Sequence, residues 1–135
     1  MPFVLDASAT FSWASPDEQD PVALRARELL ITLEENAVVP ALWWFEVRNI
    51  LIVNERRGRI TPAKSALFLE QLAIFPISIV PDLDSPLLLD LARSHKLTVY
   101  DAAYLALAIA KHLPLATLDK ALASAASSAG IPLLA

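Results

Sequence analysis

Four carboxylates in this sequence lie where a charge is costly or unexpected. Asp6 directly follows an apolar run near the N-terminus, and Glu46 lies among bulky apolar residues. Asp101 begins the most apolar helical segment of the chain, and Asp119 follows another short apolar run. Burying a lone carboxylate is strongly unfavourable unless it is paired, hydrogen-bonded or bound to a metal. These four residues are therefore the first candidates for chemistry.

Each of the four residues also has an ordinary structural explanation when taken alone. The three aspartates stand where an N-cap is expected, and the glutamate could form a salt bridge. Together at one site, however, the four carboxylates would repel each other and raise each other's pKa unless cations lay between them. Oxygen ligands of this kind suit Mg²⁺ or Mn²⁺. Such a metal cluster supports hydrolysis of phosphodiester bonds, because the ion activates water and neutralises charge on the leaving oxygen.

The elements that must position these residues alternate between short strands and longer helices. Strands are predicted over residues 3–5, 37–39, 77–80, 115–117 and 131–134. Helices are predicted from about residue 8 and over residues 21–35, 41–57, 62–73, 84–95, 101–111 and 119–129. Gly58 and Gly130 follow two of these helices, where a left-handed cap residue is expected.

This alternation predicts an α/β fold in which a central parallel sheet lies between two helical layers. The strands are apolar on both faces, as parallel strands covered by helices are. The 135 residues, with five predicted strands, are expected to form one domain, residues 1–135. Ligands of such sheets bind beyond the carboxyl ends of the strands. Since Asp6 and Asp119 follow predicted strands, we expect the site at that edge.

The composition excludes several other classes of site. The chain has no cysteine, which rules out disulfides, thiolate metal sites and thiol nucleophiles. Its two glycines lie far apart, so neither a Walker A loop nor a dinucleotide-binding glycine turn can form. Neither His95 nor His112 has a second ligand at zinc spacing. Ser8 lacks the glycine-flanked setting of a serine hydrolase.

Charge and hydropathy bear on location and partners. The apolar runs fall short of the roughly 20 residues of a spanning helix, and no basic leader precedes the first of them. We therefore expect a soluble, cytoplasmic protein that does not engage a membrane. With a net charge of −4, the chain lacks a broad positive field. One basic cluster remains, which could serve as helix-end charge or contact RNA phosphates, and it consists of Arg56, Arg57, Arg59 and Lys64.

Four segments together resemble the PIN-domain ribonucleases. They read VLDASA at residues 4–9, VPALWWFEVRN at 39–49, YDAAYLA at 100–106 and LATLD at 115–119. They occur in the family's order and spacing, over nearly the whole chain. In length and motifs the sequence is similar to the VapC toxins of VapBC toxin–antitoxin pairs. The resemblance implies a PIN-like, five-stranded parallel sheet with an acidic site for Mg²⁺ or Mn²⁺.

The resemblance also assigns roles to individual residues. The acidic metal-binding positions, of which the last is more variable in the family, are matched by Asp6, Glu46, Asp101 and Asp119. Ser8 and Thr117 fall on hydroxyl positions beside the metals, and Asn49 falls on a polar position near the site. The implied activity is endonucleolytic cleavage of RNA. The implied partners are a co-encoded antitoxin that blocks the site and a second copy of the chain in a homodimer.

Two functions of other classes stay open at this point. A receiver-like phosphoacceptor domain also has strand-end aspartates and Mg²⁺, but it needs paired acids where Ala7 follows Asp6. A PIN fold could instead be a catalytically silent protein-interaction module. The three tryptophans do not decide between these functions, since they could stack on bases or belong to the core or an interface.

Overall fold

The centre of the fold is a parallel sheet of four short strands, seen in a computed structural model that describes residues 1–135. The strands are β1 (Phe3–Leu5), β2 (Ala37–Pro40), β3 (Ile77–Val80) and β4 (Leu115–Ala116). Their order in the sheet is β3-β2-β1-β4, and all three pairings are parallel. Because Val4 pairs with both Val38 and Leu115, β1 is central, and its carboxyl end lies in the middle of one sheet edge.

Seven helices surround this sheet. They are α1 (Ala7–Ser12), α2 (Pro21–Ile31), α3 (Leu42–Arg56), α4 (Pro62–Leu72), α5 (Ser85–His95), α6 (Val99–Lys111) and α7 (Lys120–Ser128). Helix α6 packs against β1, β2 and β4, and its residues 102–108 are all buried. The α/β fold predicted from strand–helix alternation is confirmed. None of the helices combines the length and apolar character needed to cross a bilayer.

The core fixes α3 against α1, and this contact positions the first turns of both helices. Trp43 is buried, and its Nε1 donates a hydrogen bond of 2.9 Å to Thr10 Oγ1, which is also buried. One turn further along α3, Val47 is completely buried. Glu46 therefore lies on a part of α3 that is held in place by the buried side chains on either side of it. Trp44, by contrast, is 42% exposed, so the paired tryptophans divide between core and surface.

The fifth predicted strand is not formed. Instead of a strand over 131–134, the structure has one isolated parallel bridge between Leu115 and Leu133. The Leu115 N–H donates to the Pro132 carbonyl, and the Leu134 N–H donates to the Leu115 carbonyl. Strand β4 has only two residues, and Pro132 has no N–H to donate, so the ladder cannot extend. The sheet thus has four strands rather than five.

Two helix boundaries also differ from the prediction. Helix α2 ends at Ile31 instead of residue 35, because Leu33 adopts a left-handed conformation with φ of 58°. Helix α6 begins at Val99, two residues early, with Thr98 as its N-cap. The Thr98 Oγ1 accepts the Asp101 N–H at 3.0 Å. Asp101 is therefore not the cap residue, and its carboxylate is not used for capping.

The glycine C-caps are confirmed. Gly58 and Gly130 have φ of +70° and +78°, the left-handed region that residues with a Cβ rarely adopt. Each glycine ends the turn that follows a helix, α3 and α7 respectively. The long helix α3 therefore ends within the basic cluster, at Arg56, and Lys64 of that cluster lies in α4.

Candidate active site

The four carboxylates singled out in the sequence line one cavity. It has a volume of about 160 Å³, and its lining residues are Asp6, Ala7, Ser8, Glu46, Ile50, Asp101, Tyr104 and Asp119. The acids come from four different elements: the end of β1, the second turn of α3, the first turn of α6 and the N-cap of α7. No lysine, arginine or histidine belongs to the lining. The fold therefore brings these residues together from distant parts of the chain.

Asp6 is buried, and its carboxylate is held from several sides. The Ala9 N–H donates to Oδ1 at 2.9 Å, which makes Asp6 the N-cap of α1. The Ser8 hydroxyl lies 2.8 and 2.9 Å from the two carboxylate oxygens, and the Thr117 hydroxyl donates to Oδ2. Asp6 therefore both caps α1 and lines the cavity.

Ser8 and Thr117 connect the end of β1 to the end of β4. The Leu118 N–H donates to Ser8 Oγ at 3.0 Å, and the Asp119 N–H donates to Thr117 Oγ1 at 3.0 Å. Both hydroxyls also contact Asp6. Each hydroxyl therefore accepts a backbone N–H from one strand–helix junction and donates to the carboxylate of the other. Ser8 lines the acidic cavity, and Thr117 contacts Asp6, which also lines it.

Tyr104 is a residue of the cavity that the sequence analysis did not single out. Its hydroxyl donates a hydrogen bond of 2.5 Å to Glu46 Oε1. Tyr104 follows Asp101 by three residues on α6, so both side chains face the same cavity. The sequence signal that could have indicated this role is that Tyr104 carries the one hydroxyl within the apolar run 102–108. A buried tyrosine needs a partner for its hydroxyl, and here that partner is the half-buried glutamate.

Asn49 is not among the residues that line the cavity, and its role near the site stays a prediction. Its side chain is exposed, and Ile50 lines the cavity instead. At about 100° per residue, position i+4 on a helix lies about 40° from Glu46, whereas position i+3 lies about 60° away on the other side. The cavity lies on the Ile50 side, and Asn49 is turned toward solvent.

Burial and mutual repulsion raise the pKa of three of these carboxyl groups. Burial is the main cause for Asp6, and the Asp119 carboxylate raises its pKa further. Burial likewise raises the pKa of Glu46, with additional repulsion from Asp101 and Asp6. The pKa of Asp101 is raised by burial and by Asp119. Hydrogen bonds from Ala9, Thr117 and Ser8 oppose the shift at Asp6. The site is an uncompensated concentration of negative charge.

The donor set of this cavity fits a hard divalent cation. Carboxylate and hydroxyl oxygens are the ligands that Mg²⁺ and Mn²⁺ prefer, and the cavity contains no side chain of positive charge. As the side chains are placed, no three histidine or acidic residues converge closely enough to hold one ion between them. The fit is therefore one of ligand chemistry and charge, and coordination would require the carboxylates to draw together.

Comparison with known proteins identifies the family. A sequence profile of the PIN domain matches residues 3–127. The chain belongs to the PIN domain family. Ribonuclease VapC3 from Pyrobaculum aerophilum is 36% identical over 129 residues, which cover 91% of this chain and 93% of that protein. The resemblance drawn from the four sequence segments is thus confirmed, and the receiver-like alternative is excluded.

Two solved structures share the fold of this chain. The crystal structure of PAE2754 from Pyrobaculum aerophilum superposes with a TM-score of 0.70 at 27% identity, covering 93% of this chain and 79% of that one. VapC20 from Mycobacterium tuberculosis, described as a sarcin–ricin loop cleaving toxin, superposes with a TM-score of 0.62. It covers 98% of both chains at 13% identity, so this likeness concerns the fold alone.

Proposed function

We propose that this PIN domain is a metal-dependent endoribonuclease, which hydrolyses phosphodiester bonds in RNA as the toxin of a type II toxin–antitoxin pair. The observation that carries the proposal is the convergence of four carboxylates from four elements on one cavity free of cationic side chains. The kinship with Ribonuclease VapC3 supports RNA as the substrate and the toxin role.

In this proposal Mg²⁺ or Mn²⁺ is held by Asp6, Glu46, Asp101 and Asp119. A bound ion lowers the pKa of an attacking water and neutralises charge on the leaving oxygen. The chain's own part is to hold the ligands in place. Ser8 and Thr117 fix the carboxylate of Asp6, and Tyr104 fixes that of Glu46. Asp101 does not cap α6, because Thr98 does, and its carboxylate lines the cavity.

The proposed setting is the cytoplasm, with a co-encoded VapB-type antitoxin that blocks the cavity and with the toxin as a homodimer. Kinship with a VapC ribonuclease supports the antitoxin. An exposed apolar surface supports self-association: Trp44 is 42% and Phe45 is 70% exposed, and their rings pack edge to face. Exposed aromatic neighbours of this kind are typical of interfaces.

Cleavage of RNA by the purified, partner-free protein tests the activity. We expect new 5′ ends in a total-RNA pool when Mn²⁺ or Mg²⁺ is present, and none after chelation. Asp6→Asn, which keeps an N-cap residue, should abolish cleavage, whereas Asp82→Asn in an exposed loop should not. The proposal fails if neither metal supports cleavage, or if Asp6→Asn cleaves as the wild type does.

Calorimetric titration with Mn²⁺ distinguishes the nuclease from a catalytically silent interaction module with the same fold. The nuclease should bind Mn²⁺, and Asp101→Asn should weaken or abolish that binding. A protein that binds no Mn²⁺, or binds it equally well without the Asp101 carboxylate, would be assigned to the silent class.

A further inference from the structure

A second cavity, of about 310 Å³, lies beside helices α1 and α3. Helix α1 directly follows Asp6, and α3 carries Glu46. Its lining residues are Phe11, Ala14, Ser15, Pro16, Asn54, Arg59 and Ile60. A further cavity of about 340 Å³ shares three of these residues and adds Trp13 and Lys64. The two cavities are therefore adjacent, and together they are called the side groove here. Its first part has the size of a small-ligand site.

The side groove lies beside the candidate active site, along the same two helices. Helices α1 and α3 pack against each other. On α1, Phe11 of the groove follows Ser8 of the active site by three residues, and on α3, Asn54 follows Ile50 by four. At about 1.5 Å per residue, the offset along α3 is about 6 Å. Since stacked nucleotides are spaced by about 3.4 Å along a strand, the groove begins one or two nucleotides from the acidic cavity.

The groove presents polar groups that the protein itself does not use. Arg59 is exposed and forms no ion pair, and neither does Lys64. The Asn54 Nδ2 donates to the Ile50 carbonyl at 2.8 Å, which anchors the amide of this lining residue and leaves its Oδ1 without a hydrogen-bond partner in the protein. Phe11, which is half-buried, supplies an aromatic wall. A cation, an amide and an aromatic ring are together typical of sites for single-stranded nucleic acid.

We propose that the side groove binds a nucleotide next to the scissile phosphate, with Arg59 contacting a phosphate and Asn54 reading the base. This inference rests on the proposed ribonuclease function and adds residues that position and select the RNA. An amide has both a donor and an acceptor, which matches the edges of bases, and the ring of Phe11 gives a stacking surface. An apolar protein segment would instead leave Arg59, Asn54 and Ser15 desolvated without partners.

A truncation series tests the role of Arg59. Rates are measured on RNAs shortened one nucleotide at a time from each side of the mapped cleavage site, with wild type, Arg59→Ala and Arg57→Ala. Arg57 is the matched control, since it is exposed, belongs to the same basic cluster and lines neither cavity. We expect wild type and Arg57→Ala to lose about tenfold in kcat/KM, mainly through KM, when the bound nucleotide is removed.

Arg59→Ala should lose about the same factor on the longest RNA and then lose little more at that truncation, because the contact is already missing. In parallel, Asn54→Ala should relax the nucleotide preference at that one position of a randomised RNA. If Arg59→Ala shows the same truncation loss as wild type, the inference is overturned and the groove is left to a protein segment. A wild type that cuts no RNA at all overturns the proposed function and this inference with it.

Discussion

The hydroxyl of Tyr104 donates a hydrogen bond to Glu46 Oε1 at 2.5 Å, joining α6 to α3 across the acidic cavity. This bond lowers the pKa of Glu46, against the larger effect of burial, which raises it. Burial and the nearby glutamate raise the pKa of Tyr104, so its hydroxyl keeps its proton and remains a donor at neutral pH. Tyr104 is thus a positioning residue that favours the charged form of Glu46.

Replacing Tyr104 by phenylalanine should therefore change the pH dependence of cleavage. Without the hydroxyl the pKa of Glu46 rises further, and the acidic limb of the pH–rate profile moves to higher pH. We expect kcat near neutral pH to fall by about tenfold, the effect of losing one hydrogen bond to a charged group. Steady-state cleavage of one short RNA from pH 5 to pH 9 measures both effects.

Tyr100→Phe is the matched control, because this tyrosine lies on the same helix but is 65% exposed and outside the cavity. Its pH–rate profile should coincide with that of the wild type. A Tyr104→Phe profile that is lower at every pH but not displaced would mean that Tyr104 contributes only to packing.

Asp101→Asn should separate activity from stability. The substitution removes a carboxylate whose pKa is raised by burial and by Asp119, and it leaves the Thr98 cap of α6 intact. Cleavage should fall on the order of 100-fold, while the melting temperature of the metal-free protein should rise. Thermal denaturation in EDTA and a cleavage assay are sufficient. A variant that melts lower than wild type would show that Asp101 stabilises the fold.

The metal-free protein should lose stability as the pH rises through the raised pKa values of its acidic cavity. A carboxyl group with a folded pKa above the ordinary 3.8 or 4.5 binds its proton more tightly when folded. Its stabilising contribution is complete below the ordinary pKa and is lost as the pH rises through the folded value. The melting temperature in EDTA should thus fall from about pH 4.5 toward neutrality.

Two comparisons assign this pH dependence to the cavity. Asp101→Asn should show a shallower fall, because one of the repelling groups is absent. Mn²⁺ should raise the melting temperature strongly at pH 7.5 and only weakly at pH 4.5, where protons compete for the ligands. Equal stabilisation at the two pH values would place Mn²⁺ elsewhere on the protein.

Thr117→Val should destabilise the contact between the ends of β1 and β4. The buried hydroxyl donates to Asp6 and accepts the Asp119 N–H, so the isosteric valine leaves the Asp119 N–H without its acceptor and removes one of the hydrogen bonds to Asp6. The expected cost is about 1–3 kcal/mol in the free energy of unfolding. Urea denaturation measures it, and Thr117→Ser, which keeps the hydroxyl, should restore most of the loss. A valine variant as stable as the wild type would contradict the role assigned to the hydroxyl.

The sequence predicted most elements and the four acids, because both depend on local patterns. Apolar runs set the four strands, and Asp6 and Asp119 cap the helices they precede, as an aspartate at such a junction should. The fifth strand failed for a non-local reason: β4 is too short to offer a ladder to residues 131–134. Pairing of distant segments is not encoded in the hydropathy of either one.

The remaining differences at the site arise from side-chain direction. Thr98, not Asp101, caps α6. The sequence did not reveal that the helix begins two residues earlier, because Val99 and Tyr100 are compatible with a loop. Ile50 rather than Asn49 faces the cavity, which depends on the rotation of α3 fixed by Trp43. The role of Tyr104 required knowing that α6 lies opposite α3, a fact of tertiary structure alone.

The three aspartates of the cavity differ in whether they also cap a helix. Asp6 and Asp119 each accept the N–H that starts a helix, at 2.9 Å in both cases, whereas Asp101 accepts none. A lineage that abandons catalysis is therefore free to place almost any small residue at 101. At 6 and 119 it must keep asparagine, serine or threonine, or lose a helix start as well. Relatives that have lost catalysis but still fold should therefore vary at position 101 and keep capping residues at positions 6 and 119.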